Sequence, residues 1–274
     1  MKTNPLASHF RKVDMYVPLP SKGKYYDSPL ELSTDLELGI YPMTVRDEIE
    51  IKSADALYNG NGLFHLIESC IPSIKNAANM PICDVDPILL GIRQASYGEN
   101  LDMILTCPEC KNETEYSIDI PSLLTRVSDL SGVDSIEIGD VTVNIKPYTL
   151  KTQIDATKNS HNSKRVIEAM ADDGISEEQK RQLYNEYIAS QAVELSAMVS
   201  DSIVSITDEN GTYTDKDVIT EFISNIDRRK YTKISDAINN LVVGIFDKKI
   251  SGTCSNCSKE IHTEIEVDPF RFFM

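Results

Sequence analysis

Residues 106–120 read TCPECKNETEYSIDI, and residues 253–267 read TCSNCSKEIHTEIEV. Laid side by side without a gap, they match Thr106 with Thr253, Cys107 with Cys254, Cys110 with Cys257, Glu113 with Glu260 and Ile118 with Ile265. Asp119 then faces Glu266, and Ile120 faces Val267. In each copy a Cys-x-x-Cys precedes alternating apolar and polar residues, the period of a half-buried strand. Each therefore reads as a sharp turn carrying two thiols, with a strand leaving it.

Four thiolates suit a tetrahedral zinc ion. Two residues between the cysteines let backbone amides wrap one sulfur while both sulfurs point at a single ion. Two such pairs in the same turn-and-strand context point to one shared site of Cys107, Cys110, Cys254 and Cys257. A structural zinc there would clamp two segments 147 residues apart in sequence. Iron in place of zinc, metal-free cysteine pairs and a redox dithiol are the alternatives. A redox pair sits at a helix N-terminus, whereas a strand follows here. Four sulfurs also close the coordination shell, so no water would be activated. His262 is close enough in sequence to replace a sulfur, but four cysteines already suffice. Cys70 and Cys83 are read as small core residues.

Outward from these turns, the chain divides by pattern. Residues 1–43 read as an extended N-terminal arm, with a turn at Pro20–Gly23 and a strand over 36–40. Thr44 with Asp47 opens a helix expected to run towards Asn59-Gly60-Asn61-Gly62. A second helix carries Leu63, Phe64, Ile67, Cys70 and Ile71, and Pro72 ends it. Asp86 before Pro87 reads as the cap of a third. Strands are expected over 101–105 and 114–120, and a hairpin about Gly139-Asp140. From 149 to about 202 the pattern is helical, with a capping box at Ser176–Gln179. Leu183, Tyr187, Leu195, Val199 and Ile203 form one stripe. A small hairpin about Asn210-Gly211, two shorter helices and the second cysteine turn with its strands complete the chain. The fold class is α+β: zinc-knuckle β-hairpins form a base in a module of 44–148 plus 246–274, and 149–245 is a mostly helical insertion.

The 274 residues carry a net charge of −16. Nucleic acid repels such a chain unless a basic patch intervenes. Arg228, Arg229, Lys230 and Lys233, then Lys248 and Lys249, lack the interleaved aromatics of a single-strand groove and read as solvated faces. No run of eighteen apolar residues spans a membrane. The N-terminal stretch lacks an apolar h-region, which predicts cytosolic synthesis with reduced thiols. Nucleophile elbows, phosphate loops, dinucleotide glycines and His-Glu-x-x-His are absent, so no catalytic residues are assigned and an enzyme is not expected.

Three stretches occur in a telling order: LPSKGKYY (19–26), YPMTVRDEIEIKSADALYNGNGLFHLIESCIP (41–72) and VDPILLGIRQASYGENLDMILTCPECKNETEYSIDI (85–120). Together they resemble the baseplate-hub protein family of T-even-type contractile-tailed bacteriophages, whose members are hub components or hub assembly factors. The resemblance implies a non-enzymatic structural or assembly role in the virion tail baseplate, with assembly in the host cytoplasm. Its partners would be other baseplate or tail proteins, hub or tube subunits among them. Tyr16, Leu19, Tyr25 and Tyr26 of the arm and Phe270, Phe272 and Phe273 at the C-terminus are the candidate partner contacts, the phenylalanines alternatively plugging the protein's own core. A transient assembly chaperone and a zinc-ribbon module that binds nucleic acid are the competing readings.

Overall fold

The computed structural model describes residues 4–52, 60–130, 134–170, 174, 176–267 and 272–273, with backbone alone at 160–165, 167–169, 186 and 189–195. The chain folds as two units: residues 1–130 with 244–274, and residues 131–243.

In the first unit, β1 (Met15–Pro18) pairs antiparallel with β2 (Glu37–Ile40), Met15 opposite Ile40. The segment expected as an extended arm thus carries a ribbon whose Val17, Leu38 and Ile40 are fully buried. Helix α1 (Val45–Ile51) starts at the Thr44–Asp47 capping box foreseen in the sequence. Its expected run to Asn59 lies outside the described residues. Helix α2 (Asn61–Cys70) buries Leu63, Leu66, Ile67 and Cys70 on one stripe. Helix α3 (Val85–Tyr97) buries Ile88, Leu89, Leu90 and Ile92, and the short α4 (Ile120–Leu124) buries Ile120, Leu123 and Leu124. Gly91 lets α3 approach β1, since a Cβ there would meet Val17 Cγ1 at 2.5 Å.

Asp86 does not cap α3. The cap position is Asp84, whose carboxylate turns away from the helix into the core. There it accepts hydrogen bonds from the Ser21 N–H at 2.9 Å, the Ser21 hydroxyl and the Tyr26 hydroxyl at 2.9 Å. A fully buried carboxylate needs such donors. Burial raises the Asp84 pKa, and those donors oppose the rise. The bonds fix the Leu19–Tyr26 turn, in which Lys22 and Tyr25 take left-handed backbone angles. A second tie is Arg11, which donates to Pro42 O, Asp47 Oδ2, Ser69 O and Ser69 Oγ.

In the second unit, β5 (Ser135–Ile138), β6 (Val141–Ile145), β7 (Ile203–Asp208) and β8 (Gly211–Tyr213) form one antiparallel sheet in that order. The hairpin about Gly139, expected within the cysteine module, pairs instead with β7, Val143 opposite Ile206. Helices α5 (Leu150–Met170) and α6 (Glu177–Asp201) join β6 to β7 in the chain. Val199 on α6 is buried as expected, whereas Ile203 belongs to β7. Helices α7 (Lys216–Asn225) and α8 (Arg228–Val242) bury Ile219 and Ile223, then Ile234, Ile238 and Leu241, at helical spacing. The Lys216 amine donates to the carbonyls of Ser200 and Asp201 at the open C-terminus of α6 and to that of Ile203 at the start of β7.

Candidate metal centre

Two hairpins of the first unit carry the cysteines. β3 (Asn100–Thr106) pairs with β4 (Glu113–Asp119), and β9 (Lys249–Thr253) pairs with β10 (Glu260–Glu264). Thr106 closes on Glu113 and Thr253 closes on Glu260, so the two loops have the same length. They also share a backbone pattern. The Cys107 N–H donates to Asn112 O at 2.9 Å, and the Cys254 N–H to Lys259 O at 2.8 Å. The Lys111 N–H donates to Cys107 O, and the Ser258 N–H to Cys254 O, each at 3.0 Å. Lys111 and Ser258 both adopt positive φ, 60° and 57°. The sequence repeat is therefore a structural repeat, made by residues that differ at most positions.

The turns meet. The four Sγ atoms all lie within 4.8 Å of one another. Cys107 Sγ stands 3.7 Å from Cys257 Sγ, and Cys110 Sγ stands 3.6 Å from Cys254 Sγ, so both short contacts cross from one turn to the other. Such a group could hold a metal ion. The N–H groups of Cys257 and Asn256 donate to Cys254 and bring its thiol down to about 6. The Asn112 N–H and the Asn256 side chain lower Cys110. Cys257 moves the other way, to about 12: the Lys259 N–H lowers it, but Cys110, burial and the other sulfurs outweigh that. Four thiolates cannot share this volume unless a cation offsets their repulsion.

Several supports of the site were not read from the sequence. The Tyr116 hydroxyl donates to Thr253 O, and its ring lies over Gly252, where a Cβ would collide with it. An isolated glycine in a strand pattern is a sign of close backbone approach and could have pointed to this contact. Ser255 hydrogen-bonds Asn112 and Thr114, each at 3.1 Å, and Lys259 pairs with Glu109 at 2.9 Å. Leu105 and Ile261, with Met103, Tyr116 and Ile250 beside them, pack against Cys107 and Cys254. His262 lies outside the sulfur group, exposed and 3.4 Å from Glu260. Cys70 and Cys83 are core residues, and burial lifts the Cys70 thiol to about 12.

The candidate partner contacts divide. Tyr16 is half exposed, and Tyr25 is partly buried. Leu19, Phe272 and Phe273 are buried, the two phenylalanine rings edge to face at 5.7 Å. Tyr26 is partly buried, with its hydroxyl committed to Asp84. Phe270 lies outside the described residues. Among the described residues no helix is long and apolar enough to cross a membrane.

No curated protein and no solved structure matches this chain. A family model does, over residues 14–274, and its description is T4 bacteriophage base plate protein. That span takes in both units and all four cysteines of the candidate site, and the chain belongs to this family of phage baseplate proteins.

Proposed function

We propose that the chain is a non-enzymatic structural or assembly protein of the tail baseplate, in its hub region, held in shape by one zinc ion on Cys107, Cys110, Cys254 and Cys257. The observation that carries the metal reading is the convergence of four sulfurs from two remote turns. A zinc ion with sulfurs at about 2.3 Å sets them about 3.8 Å apart in a tetrahedron. The short cross-turn contacts of 3.6 and 3.7 Å fit that edge. When bound, zinc supplies charge compensation and a fixed geometry, and with no open coordination position it supplies no activated water. The first unit is built from 1–130 and 244–274, so the same sulfurs tie its two stretches of chain together.

Family membership supports the location in the virion baseplate after assembly in the host cytoplasm, and the partners would be neighbouring tail proteins. Tyr16 is the expected contact residue best placed to meet one, since Leu19, Phe272 and Phe273 are spent on the protein's own core. The charge of −16 favours protein partners over nucleic acid.

Elemental analysis of protein purified without added metal tests the site. One zinc per chain is expected in the native protein and none in Cys254→Ser; equal metal in both would remove the proposal. Co-purification with baseplate proteins tests the role, and a chain that ignores all of them would count against it. Mass spectrometry of finished particles separates a resident component from a chaperone that leaves.

A further inference from the structure

The four sulfurs are not equivalent. Cys107 and Cys254, the first cysteine of each turn, are buried, whereas Cys110 and Cys257, the second of each, are the more open residues. Beside the sulfur of each of these lies that of a buried cysteine from the other turn: Cys254 is 3.6 Å from Cys110, and Cys107 is 3.7 Å from Cys257. An oxidant arriving from solvent meets an outer sulfur first. The sulfur in contact behind it belongs to the opposite turn.

We propose that oxidation converts this site into cross-turn disulfides, Cys110–Cys254 and Cys107–Cys257, which take over from the metal in joining the two turns. This rests on the reading that the four sulfurs share a metal, and it assigns the same site a second chemical state. The setting supplies the occasion. A baseplate protein that is made in a reducing cytosol and stays in the particle would leave the cell with it, and thiols outside the cell oxidise.

The chemistry balances with hydrogen peroxide as oxidant. The Cys110 thiolate attacks one peroxide oxygen; an S–O bond forms, the O–O bond breaks, and hydroxide leaves. The Cys254 thiolate then attacks the Cys110 sulfur; the S–S bond forms, the S–O bond breaks, and a second hydroxide leaves. Two thiolates have given two electrons to one peroxide, and the two hydroxides are released and neutralised by the acid form of the buffer. With two of the four thiolates tied up in a disulfide, the remaining pair would no longer hold the metal. Cys257 and Cys107 repeat the sequence with a second peroxide. Either bond closes a loop of well over a hundred residues, so it limits the freedom of the unfolded chain as the metal did.

Native metal-loaded protein treated with hydrogen peroxide would be followed by a colorimetric chelator and by peptide mapping without reduction. Metal is expected in solution together with peptides linking Cys110 to Cys254 and Cys107 to Cys257. With chelator present, the oxidised protein should be cut by protease within 244–267 about tenfold more slowly than the reduced protein, because the cross-link outlasts the metal. Disulfides within a turn, Cys107–Cys110 or Cys254–Cys257, would overturn the proposal, as would sulfinic acids without any cross-link. Protein that lacks metal before oxidation would overturn the earlier reading instead, and the peptide map would still judge this one.

Discussion

Both units start a helix with a capping box, and the two boxes are bound differently. In the first unit Asp47 accepts from the Thr44 N–H and hydroxyl and also from Arg11, which reaches on to Ser69 O near the end of α2. In the second, Ser176 and Gln179 satisfy each other in an exposed position. The contrast extends through both units. The first is interrupted in sequence and relies on bonds between remote residues: Arg11 to Ser69, Ser21 to Asp84, Lys248 to Asp86, and the four cysteines. The second is one continuous stretch, and its polar ties are mostly short in sequence: the Ser176 box, the Asp215 and Asp227 caps, and Lys216 on the end of α6. A unit made of two distant pieces has a larger closure entropy to overcome, and bonds between those pieces offset it.

Removing the proposed metal is the strongest challenge to this contrast. Chelation should lower amide protection in β3, β4, β9 and β10 by several kcal/mol, given the order of 10 kcal/mol that zinc contributes in small peptides. Protection of Val143 and Ile206 in the second sheet should stay unchanged in the same hydrogen-exchange experiment. An equal loss in both units would erase the distinction. Asp84→Ala comes next. It leaves the Ser21 and Tyr26 donors unpaired in the core and should cost about 3 kcal/mol in urea unfolding. Gly252→Ala presses a methyl group into the Tyr116 ring and should cost about 1–3 kcal/mol, with weaker metal binding measured alongside. An unchanged affinity would mean that the ring does not help to seat the second turn.

The smallest effect compares the capping boxes directly. Asp47→Ala should cost about 1.5 kcal/mol and Gln179→Ala about 0.5 kcal/mol. Burial raises the Asp47 pKa, but the Thr44 N–H, the Ser69 and Thr44 hydroxyls and Arg11 more than reverse that, so the folded-state value lies below 3.8. Its contribution is therefore present above 3.8 and lost as pH falls through the lower folded value. A denaturation series on acidification should show this loss in the native protein and a smaller one in Asp47→Ala. Equal acid sensitivity would show that the box adds nothing beyond its neighbours.

What the sequence made legible follows the range of the interactions. Capping boxes, the Gly139 and Asn210-Gly211 hairpins and the two shorter helices that follow them are local patterns, and each element appears where its pattern lies. The cysteine turns were legible because the chain writes them twice. The joining of β6 to β7 was not, since nothing in Val141–Ile145 names a partner some sixty residues later. The inward turn of Asp84 was hidden for a related reason. Asp before a helix reads as a cap, and only the Ser21–Tyr26 turn folding over it reveals the other use. Tyr116 has no counterpart in the second repeat, where Thr263 stands, so the alignment gave no hint of its contact with Gly252.

The 147 residues between the two turns also set a timetable for synthesis. At ribosomal speeds of 5–20 residues per second, Cys107 and Cys110 wait about 7–30 s for their counterparts. The intervening sheet and helices have time to form during that pause. During that interval the nascent chain would carry half a thiolate site, within reach of whatever donates or scavenges soft cations around it.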